Sequence, residues 1–433
     1  MHIKKAPTTT LLEDVVHWLR AIIVALLIVG AIVLIFVLIP EPHYKDGFHT
    51  LTELQEHAQT LDEFIKAEGK NVFFPRYESY YQKNFAPSLW KTMQRKMQWL
   101  LTTLHIMRKP VFSEGFFKTV LESVTAYRKE RGWTGEFIQK IEVNENSKLV
   151  VFGTTQGAFH GLIRYLEQLK NMGLINEDLK ITNPDYYLIF LGNVVNRSPY
   201  TLESFSIVLR LLQRNPENVI YLKGTNEFPD YWKQHTLRRE LELRANKLSS
   251  SSIPLQHEVD TFFNTLPMTL YCTIPFLSDA TLYYFKCAGF IEDEHFFKLI
   301  DAPRYASFLK QSTPHKLVAF DLHNGKDNDP EANNLKSLAI VRDIRKRDSY
   351  EEMDGLRLMP PTKGITTWTV LSTAAEPYRL SIKFFYDAFV IIEPAPKHED
   401  WKITLYNRNV MNVQNKTFQK RSFSFFGPSP QQN

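Results

Sequence analysis

Two polar loops in the middle of the chain carry the residues whose types could do chemistry. One loop follows the apolar segment 187–191, and the other follows the apolar segment 218–222. Their side chains supply amide, hydroxyl, carboxylate and basic groups, which are the types that chemistry at a site would use. The candidate residues are Asn193, Asn196 and Arg197 in the earlier loop, and Lys223, Thr225, Asn226 and Glu227 in the later one.

The elements around these loops predict where they lie in the fold. Residues 202–212, between the two loops, have apolar positions at helical spacing. The predicted order is therefore strand, loop, helix, strand and loop. In open α/β sheets, sites form at the carboxyl ends of the strands. We therefore expect both loops to lie at the sheet edge where chemistry would be done.

The order of these motifs resembles that of the serine/threonine phosphoprotein phosphatases, which have the calcineurin-like metallophosphoesterase fold. That family has L-G-D-x-V-D-R-G, a helix and L-R-G-N-H-E where this chain has LGNVVNRS and LKGTNE. Its earlier G-D-x-H-G motif corresponds to FGTTQG, which keeps Gly153 and Gly157. A later H-G-G-L motif begins at the position of Cys287. The resemblance extends over 149–394 and implies an α/β fold, an α+β sandwich of metallophosphoesterase type.

The residues that the resemblance would assign to catalysis are replaced in this chain. Members of the family hold two metal ions that activate water and neutralise phosphate oxygens. Hard divalent cations need carboxylates and imidazoles, and a neutral amide replaces little of their attraction. We therefore predict a degenerate phosphatase with no catalytic residues, no metal and no cofactor. The replaced positions are Thr154, Gln156, Asn193, Asn196, Thr225, Asn226 and Cys287.

The resemblance places Arg197 where the family's guanidinium holds phosphate oxygens. A guanidinium can hold two oxygens of an anion without any metal. Lys223 stands where the family has an arginine, and loss of the family's carboxylates leaves these cations in the cleft. We therefore expect Arg197 and Lys223 to bind a phosphorylated or other anionic ligand. The alternative is that Arg197 pairs with Glu227 or Asp321, and that the cleft is only structural.

An uninterrupted apolar run occupies residues 21–39. As a helix it is roughly 28 Å long, close to the hydrocarbon thickness of a bilayer. The run exceeds the apolar region of a signal peptide and ends at Pro40 without a small-residue cleavage site. We therefore expect one uncleaved transmembrane helix. More basic residues precede it than follow it, which predicts a cytoplasmic 1–20 and a globular part on the non-cytoplasmic side.

The rest of the chain divides by composition and pattern. We expect a linker and helical accessory region over 40–141, the phosphatase-like domain over 149–394, and a closing strand with a flexible tail over 395–433. Within the accessory region, Thr50 and Glu53 form a capping-box pattern. A second helix is predicted from Pro87, and a third is predicted to stop at Gly132.

Several classes of function find no support in the composition. The net charge of +5 is spread over 433 residues without a basic cluster, so we expect no nucleic-acid partner. The histidines have no zinc-type spacing, and no serine-nucleophile motif is present. Cys272 and Cys287 flank a predicted hairpin, and whether they pair depends on the compartment.

Three functions remain open at this point. The first is a membrane-anchored pseudophosphatase that acts as a binding or scaffolding module for a protein partner. The second is an active calcineurin-like phosphoesterase with an atypical site. The third is a structural subunit of a membrane complex. Replacement of every matched ligand favours the first over the second, because a fold alone does not determine function.

Overall fold

The structure is a computed structural model. It describes residues 9–38, 47–61, 112, 114–135, 138–198, 200–244, 253–267, 269–273, 282–286, 339–343, 354–362, 365–372, 386–396, 400–410, 412 and 417–425. The described residues fall into two compact units. One contains the first helix, and the other contains everything described from Gly47 onward.

The first unit is described by one helix, α1 (Thr9–Leu38), which includes residues 21–38 of the predicted span. Exposure is described for residues 15–28 and for Gly30, and all of these residues are exposed. Over the described residues, no helix has the combination of length and apolar character needed to cross a bilayer. The transmembrane helix therefore stays a prediction from the sequence.

The second unit contains the other helices of the described residues. Thr50 caps the first of them as predicted, because the Glu53 backbone N–H donates to Thr50 Oγ1 at 3.3 Å and the Thr50 N–H donates to Glu53 Oε2 at 3.0 Å. The predicted stop at Gly132 is also present, with a φ of 71°. The helices are α2 (Leu51–Gln59), α3 (Glu114–Glu130), α4 (Phe159–Asn171), α5 (Thr201–Arg214), α6 (Pro229–Trp232), α7 (Thr236–Arg244) and α8 (Gln256–Phe263).

Twelve described strands form two six-stranded sheets, in the orders β1-β5-β6-β7-β9-β8 and β12-β11-β10-β2-β3-β4. In the second sheet β2, β3 and β4 are parallel, and β10, β11 and β12 complete it with antiparallel pairs. The strands are β1 (Ile138–Glu142), β2 (Lys148–Phe152), β3 (Tyr186–Phe190), β4 (Val219–Tyr221), β5 (Thr269–Thr273), β6 (Leu282–Lys286), β7 (Ala339–Asp343), β8 (Leu356–Thr362), β9 (Ile365–Val370), β10 (Tyr386–Glu393), β11 (Lys402–Asn409) and β12 (Gln419–Ser424).

Alternation along β2 shows how the layers are built. Leu149 and Val151 lie in the apolar layer shared by the two sheets, whereas Val150 and Phe152 pack against the helices. Successive side chains of a strand point to opposite faces, so a continuous apolar run fits a strand buried on both sides. Each fully buried apolar side chain contributes about 1.5–3 kcal/mol. This mixed α/β arrangement fits a metallophosphoesterase-like fold.

The accessory helices share the core of the phosphatase-like domain. Leu51 and Leu54 of α2 and Leu121 of α3 are buried in the same cluster as α4 and α5. Phe117 of α3 and Phe205 of α5 meet edge to face, with ring centroids 5.5 Å apart. The helix predicted from Pro87 lies outside the described residues.

For 395–433 we expect a closing strand and a flexible tail, and the described part of this segment contains two strands, β11 and β12. Residues 419–424 form β12, which pairs with β11 although all six of its side chains are exposed. Phe425, directly after β12, packs against the rest of the domain. Its ring is buried 5.5 Å from Trp401, and its N–H donates to the Trp401 carbonyl at 2.8 Å. Pairing with β11 and the buried Phe425 at its end hold this strand, although its composition is polar.

Candidate functional site

Three loops meet at the carboxyl ends of β2, β3 and β4, because these strands are adjacent and parallel. We call them the first loop (153–158), the second loop (191–198) and the third loop (222–228). Glycines allow close contacts here. An ideal Cβ on Gly153 would lie 2.3 Å from the Val370 carbonyl oxygen, and one on Gly224 would lie 2.4 Å from the Asn193 nitrogen. The second and third loops are therefore at the strand ends as predicted, and the first loop lies at the same edge of the sheet.

The backbone joins the first loop to the second. Gln156 N–H donates to the Asn193 carbonyl at 2.9 Å, and Gly157 N–H donates to the Val194 carbonyl at 2.7 Å. Ser198 N–H donates back to the Gln156 carbonyl at 3.1 Å. The two loops therefore form one hydrogen-bonded unit.

Left-handed backbone is concentrated at this place. In the described part of the chain, six non-glycine residues have positive φ, and four of them are Gln156 (47°), Asn193 (53°), Asn196 (73°) and Arg197 (68°). Asparagine tolerates this conformation better than most residues, but glutamine and arginine do not. Such conformations cost about 1–3 kcal/mol each and persist only where surrounding contacts impose them. The hydrogen bonds between the loops supply those contacts.

Amide side chains join the second loop to the third. Asn193 Oδ1 accepts from the Asn226 backbone N–H at 3.0 Å, and Asn226 Nδ2 donates to the Val195 carbonyl at 3.0 Å. Asn196 Nδ2 donates to the Asn226 carbonyl at 3.3 Å, while its Oδ1 accepts from the Leu237 N–H at 3.0 Å. Asn196 and Asn226 are both buried. These two amides use their N–H groups as donors, which a carboxylate could not do.

Glu227 holds the same loops together with its carboxylate. Oε1 accepts from Val194 N–H at 2.8 Å, from Val195 N–H at 3.4 Å and from the Tyr221 hydroxyl at 2.7 Å. Oε2 accepts from the N–H groups of Asn193 at 2.9 Å and Gly224 at 2.8 Å. The side chain is fully buried. Burial raises the pKa of Glu227, and the hydrogen bonds offset this only in part.

The two predicted anion-binding cations have different surroundings. Arg197 is half-buried, and its backbone N–H donates to Thr236 Oγ1 at 3.0 Å. Lys223 is buried, with its ammonium 4.3 Å from the centroid of the Phe228 ring. Glu227, one predicted partner of Arg197, is occupied by the donors described above, and Asp321 lies outside the described residues. Arg197 is therefore the more accessible of the two cations.

The remaining predicted positions differ in exposure. Thr154 is buried in the first loop, whereas Gln156 and Thr225 are half-exposed. Cys287 lies outside the described residues. Cys272, on β5, is a buried free thiol, and burial raises its pKa well above the ordinary value.

The start of α7 completes the site, and sequence reasoning missed it. Residues 230–248 are recognisable as a charged helical insert, but nothing in their pattern predicts which surface they cover. The structure places Thr236 and Leu237 against the second loop and Glu240 against the start of α5. Glu240 is fully buried and accepts from the N–H groups of Thr201 at 2.9 Å and Leu202 at 2.6 Å. This carboxylate at a helix N-terminus is a stabilising arrangement that only long-range packing could reveal.

His235 lies next to this contact and is exposed. Partial burial and then the charge of Arg197 lower its pKa below the ordinary value. Thr236, the residue after His235, accepts from the Arg197 backbone N–H, so His235 and Arg197 belong to neighbouring segments. We call the space bounded by the three loops the cleft, and we call Arg197 and His235, which are in contact with solvent, its rim.

The described residues do not fit the two divalent metal ions that the resemblance implies. Over the described part of the chain, no group of three or more histidine, cysteine, aspartate or glutamate side chains is arranged to hold a metal. Asn196 and Asn226 direct N–H groups at carbonyl oxygens, and the Glu227 oxygens already accept five hydrogen bonds. Divalent cations of this class need several anionic or imidazole ligands. The oxygens of Asn193, Asn196 and Glu227 instead accept hydrogen bonds from groups of the protein.

Comparison with solved structures finds proteins to which this chain is distantly similar. No family model matches the sequence. A protein serine/threonine phosphatase from Saccharomyces cerevisiae, with similarity to human phosphatase PP5, is 16% identical with a TM-score of 0.44, and the match covers 76% of this chain and 96% of that one. A cold-active protein-tyrosine phosphatase of a psychrophilic Shewanella species is 11% identical with a TM-score of 0.35, covering 66% and 81%. A putative diadenosine tetraphosphatase is 14% identical with a TM-score of 0.28, covering 59% and 92%. Such values carry no argument about the activity of this chain.

Proposed function

We propose that this protein is a membrane-anchored pseudophosphatase, a phosphatase-like binding module that does not hydrolyse phosphoesters. The observation that carries the proposal is that the oxygens of Asn193, Asn196 and Glu227 already accept hydrogen bonds from N–H groups of the protein. A metal ligand must present a lone pair to the ion. An amide side chain would present its oxygen, and the Oδ1 atoms of Asn193 and Asn196 accept instead from the N–H groups of Asn226 and Leu237.

Charge supports the same conclusion. Two divalent cations require several compensating anions, because each ion loses its hydration shell on binding. The one carboxylate described between the loops is that of Glu227, and five donors already surround it. The oxygens of Asn193, Asn196 and Glu227 already accept hydrogen bonds, so a cation bound to them would displace donors that stabilise the fold.

We assign binding to the rim because the Arg197 side chain is more accessible to solvent than the buried groups between the loops. Arg197 has a guanidinium that can hold two oxygens of a phosphate or carboxylate group. Lys223 adds positive charge to the same cleft from a buried position. We propose an anionic ligand, such as a phosphorylated protein partner, bound without turnover.

Anchoring to a membrane is the remaining part of the proposal. Its support is the uninterrupted apolar run over 21–39 and the exposure of apolar side chains along α1, such as Trp18, Ile22 and Leu27. Alkaline carbonate extraction of native membranes tests it. Release of the full chain into the supernatant would contradict an integral anchor, and retention in the pellet is the expected result.

Hydrolysis measured on the full-length chain in detergent tests the central part of the proposal. The substrates are an aryl phosphate and a phosphopeptide, each supplied with manganese, iron or zinc. We expect no turnover above the level of the Asn193→Ala variant, which serves as the matched control at a former metal position. Turnover that depends on added metal and disappears in Asn193→Ala would instead establish the active phosphoesterase.

A further inference from the structure

The strand β12 (Gln419–Ser424) is the outermost strand of the second sheet. It pairs with β11 along its whole length, from Lys402 opposite Ser424 to Asn407 opposite Gln419. Among the described strands, none pairs with its outer side, and all six of its side chains are exposed. The outer edge of such a strand presents backbone N–H and carbonyl groups to which another strand can bind.

The features that usually protect an edge strand from pairing are weak in β12. It contains no proline, and its register with β11 has no bulge. Its two cations are directed into their own domain, because Arg421 forms an ion pair with Asp354 and the Lys420 ammonium lies 5.9 Å from the centroid of the Tyr406 ring. These charges therefore neither block a second strand nor require an acidic one.

The two faces of β12 carry different side chains. Phe423 lies on the face directed at the other sheet, with its ring centroid 5.9 Å from that of Trp368 on β9. Ser422 lies on the opposite face, where its Oγ is 3.0 Å from Thr404 Oγ1. Since side chains alternate along a strand, Arg421 shares the face of Phe423, and Lys420 and Ser424 share the face of Ser422.

This pattern is complementary to itself under a twofold axis perpendicular to the sheet. Such an axis keeps each face on its own side, so it must pass beside a residue that lies opposite its own copy. Two positions of β12 can serve as this centre and pair five residues, namely Arg421 and Ser422. A centre at Arg421 brings like charges together, which is destabilising. A centre at Ser422 places Arg421 across from Phe423 and Lys420 across from Ser424, with no like charges opposed.

We propose that β12 is a dimerisation edge, and that it pairs in antiparallel orientation with β12 of a second copy of this chain, with Ser422 opposite Ser422. The two six-stranded sheets then become one continuous sheet. Backbone hydrogen bonds form along the new pair, and the apolar stem of Arg421 from one copy covers Phe423 of the other, whose side chain is 38% exposed in the single chain. This interface goes beyond the proposed function, because it requires neither binding nor turnover in the cleft.

Sedimentation equilibrium of the full-length chain in detergent, over a range of protein concentrations, tests the dimer. The variants are Ser422→Glu and its matched control Ser422→Gln, which both lose the contact with the Thr404 hydroxyl and differ in charge. We expect wild type and Ser422→Gln to dimerise, and Ser422→Glu to dissociate about tenfold more readily because two carboxylates then face each other. A monomeric wild type would overturn the proposal, as would equal dissociation constants for the two variants.

Oxidative cross-linking of the same protein tests the register. Opposite residues of an antiparallel pair have Cα atoms about 4.5–5.5 Å apart, within the range of a disulfide, so Ser422→Cys should give a covalent dimer. Lys420→Cys is the matched control on the same face, because its copy would lie about 13 Å away along the strand. Wild type controls for Cys272 and Cys287. Cross-linking of Lys420→Cys as strongly as Ser422→Cys would overturn the register, and no cross-linking of Ser422→Cys above wild type would overturn the dimer.

Discussion

The junction between the second and third loops and the rim of the same cleft use polar residues in opposite ways. At the junction, Asn196, Asn226 and Glu227 are buried, and their polar atoms bond mainly to backbone groups of the second and third loops. At the rim, Arg197 and His235 keep contact with solvent. A buried polar group is costly unless its partners are present, whereas an exposed one can exchange water for a ligand. Polar residues at the junction therefore hold the fold, and those at the rim are suited to binding.

Of the predicted changes, removal of the Glu227 carboxylate should cause the largest loss in the free energy of unfolding. Glu227→Ala leaves four backbone N–H groups and the Tyr221 hydroxyl buried without their acceptor, so we expect a loss of about 4 kcal/mol or more in the free energy of unfolding. Arg197→Ala, at the rim, should cost about 1 kcal/mol or less. Denaturant unfolding of the full-length chain measures both variants. Equal losses would show that the two regions do not differ as described.

The family motif has aspartate at the positions of Asn193 and Asn196, and restoring it should lower stability by different amounts at the two positions. Asn196→Asp removes an N–H donor and buries a charge beside the Asn226 carbonyl, so we expect a loss of about 1–3 kcal/mol and no gain in metal affinity. Asn193→Asp keeps the acceptor that the Asn226 N–H needs, and should cost less. Aspartate tolerates the left-handed backbone about as well as asparagine, so the difference reports on hydrogen bonding. Thermal unfolding with and without manganese tests both, and stabilisation of Asn196→Asp by the metal would contradict the donor role.

A smaller effect concerns the titration of Glu227. Its pKa in the folded protein is raised from an unfolded value of about 4.5, because burial outweighs its hydrogen bonds. The stability linked to this proton is therefore fully present below pH 4.5 and is lost as the pH rises through the raised value. Relative to the non-titrating Glu227→Gln variant, wild type should lose unfolding free energy as the pH rises above 4.5. A relative gain over that window would mean that the five hydrogen bonds outweigh burial.

The sequence predicts the sandwich better than it predicts the cleft. The apolar strand segments before the second and third loops, and the helix between them, follow from local periodicity, and parallel pairing then brings the loops together. The capping box of Thr50 and the stop at Gly132 are likewise local signals. Each of these features is contained within a few residues of the chain, so the pattern is sufficient to find it.

The rim depends on contacts that no local pattern encodes. Arg197 and Thr236 are joined by one hydrogen bond across an insert whose composition indicates only a charged helix. Lys223 becomes buried because Phe228, a few residues later, folds back over its ammonium. The amide donors could be suspected from the exchange of aspartate for asparagine, but their acceptors are visible only in three dimensions. The sequence thus gives the types of the polar residues, but it does not give their hydrogen-bond partners.

Anomalous diffraction from crystals soaked in manganese chloride tests the central claim most directly. We predict no ordered manganese between the loops, with the hydrogen bonds from Asn196 Nδ2 to the Asn226 carbonyl and from Asn226 Nδ2 to the Val195 carbonyl intact. Data collected at the manganese absorption edge would detect an ion regardless of activity. Two anomalous peaks a few ångströms apart among Thr154, Asn193 and Thr225 would contradict the account and show that this cleft still binds the metals of an active phosphoesterase.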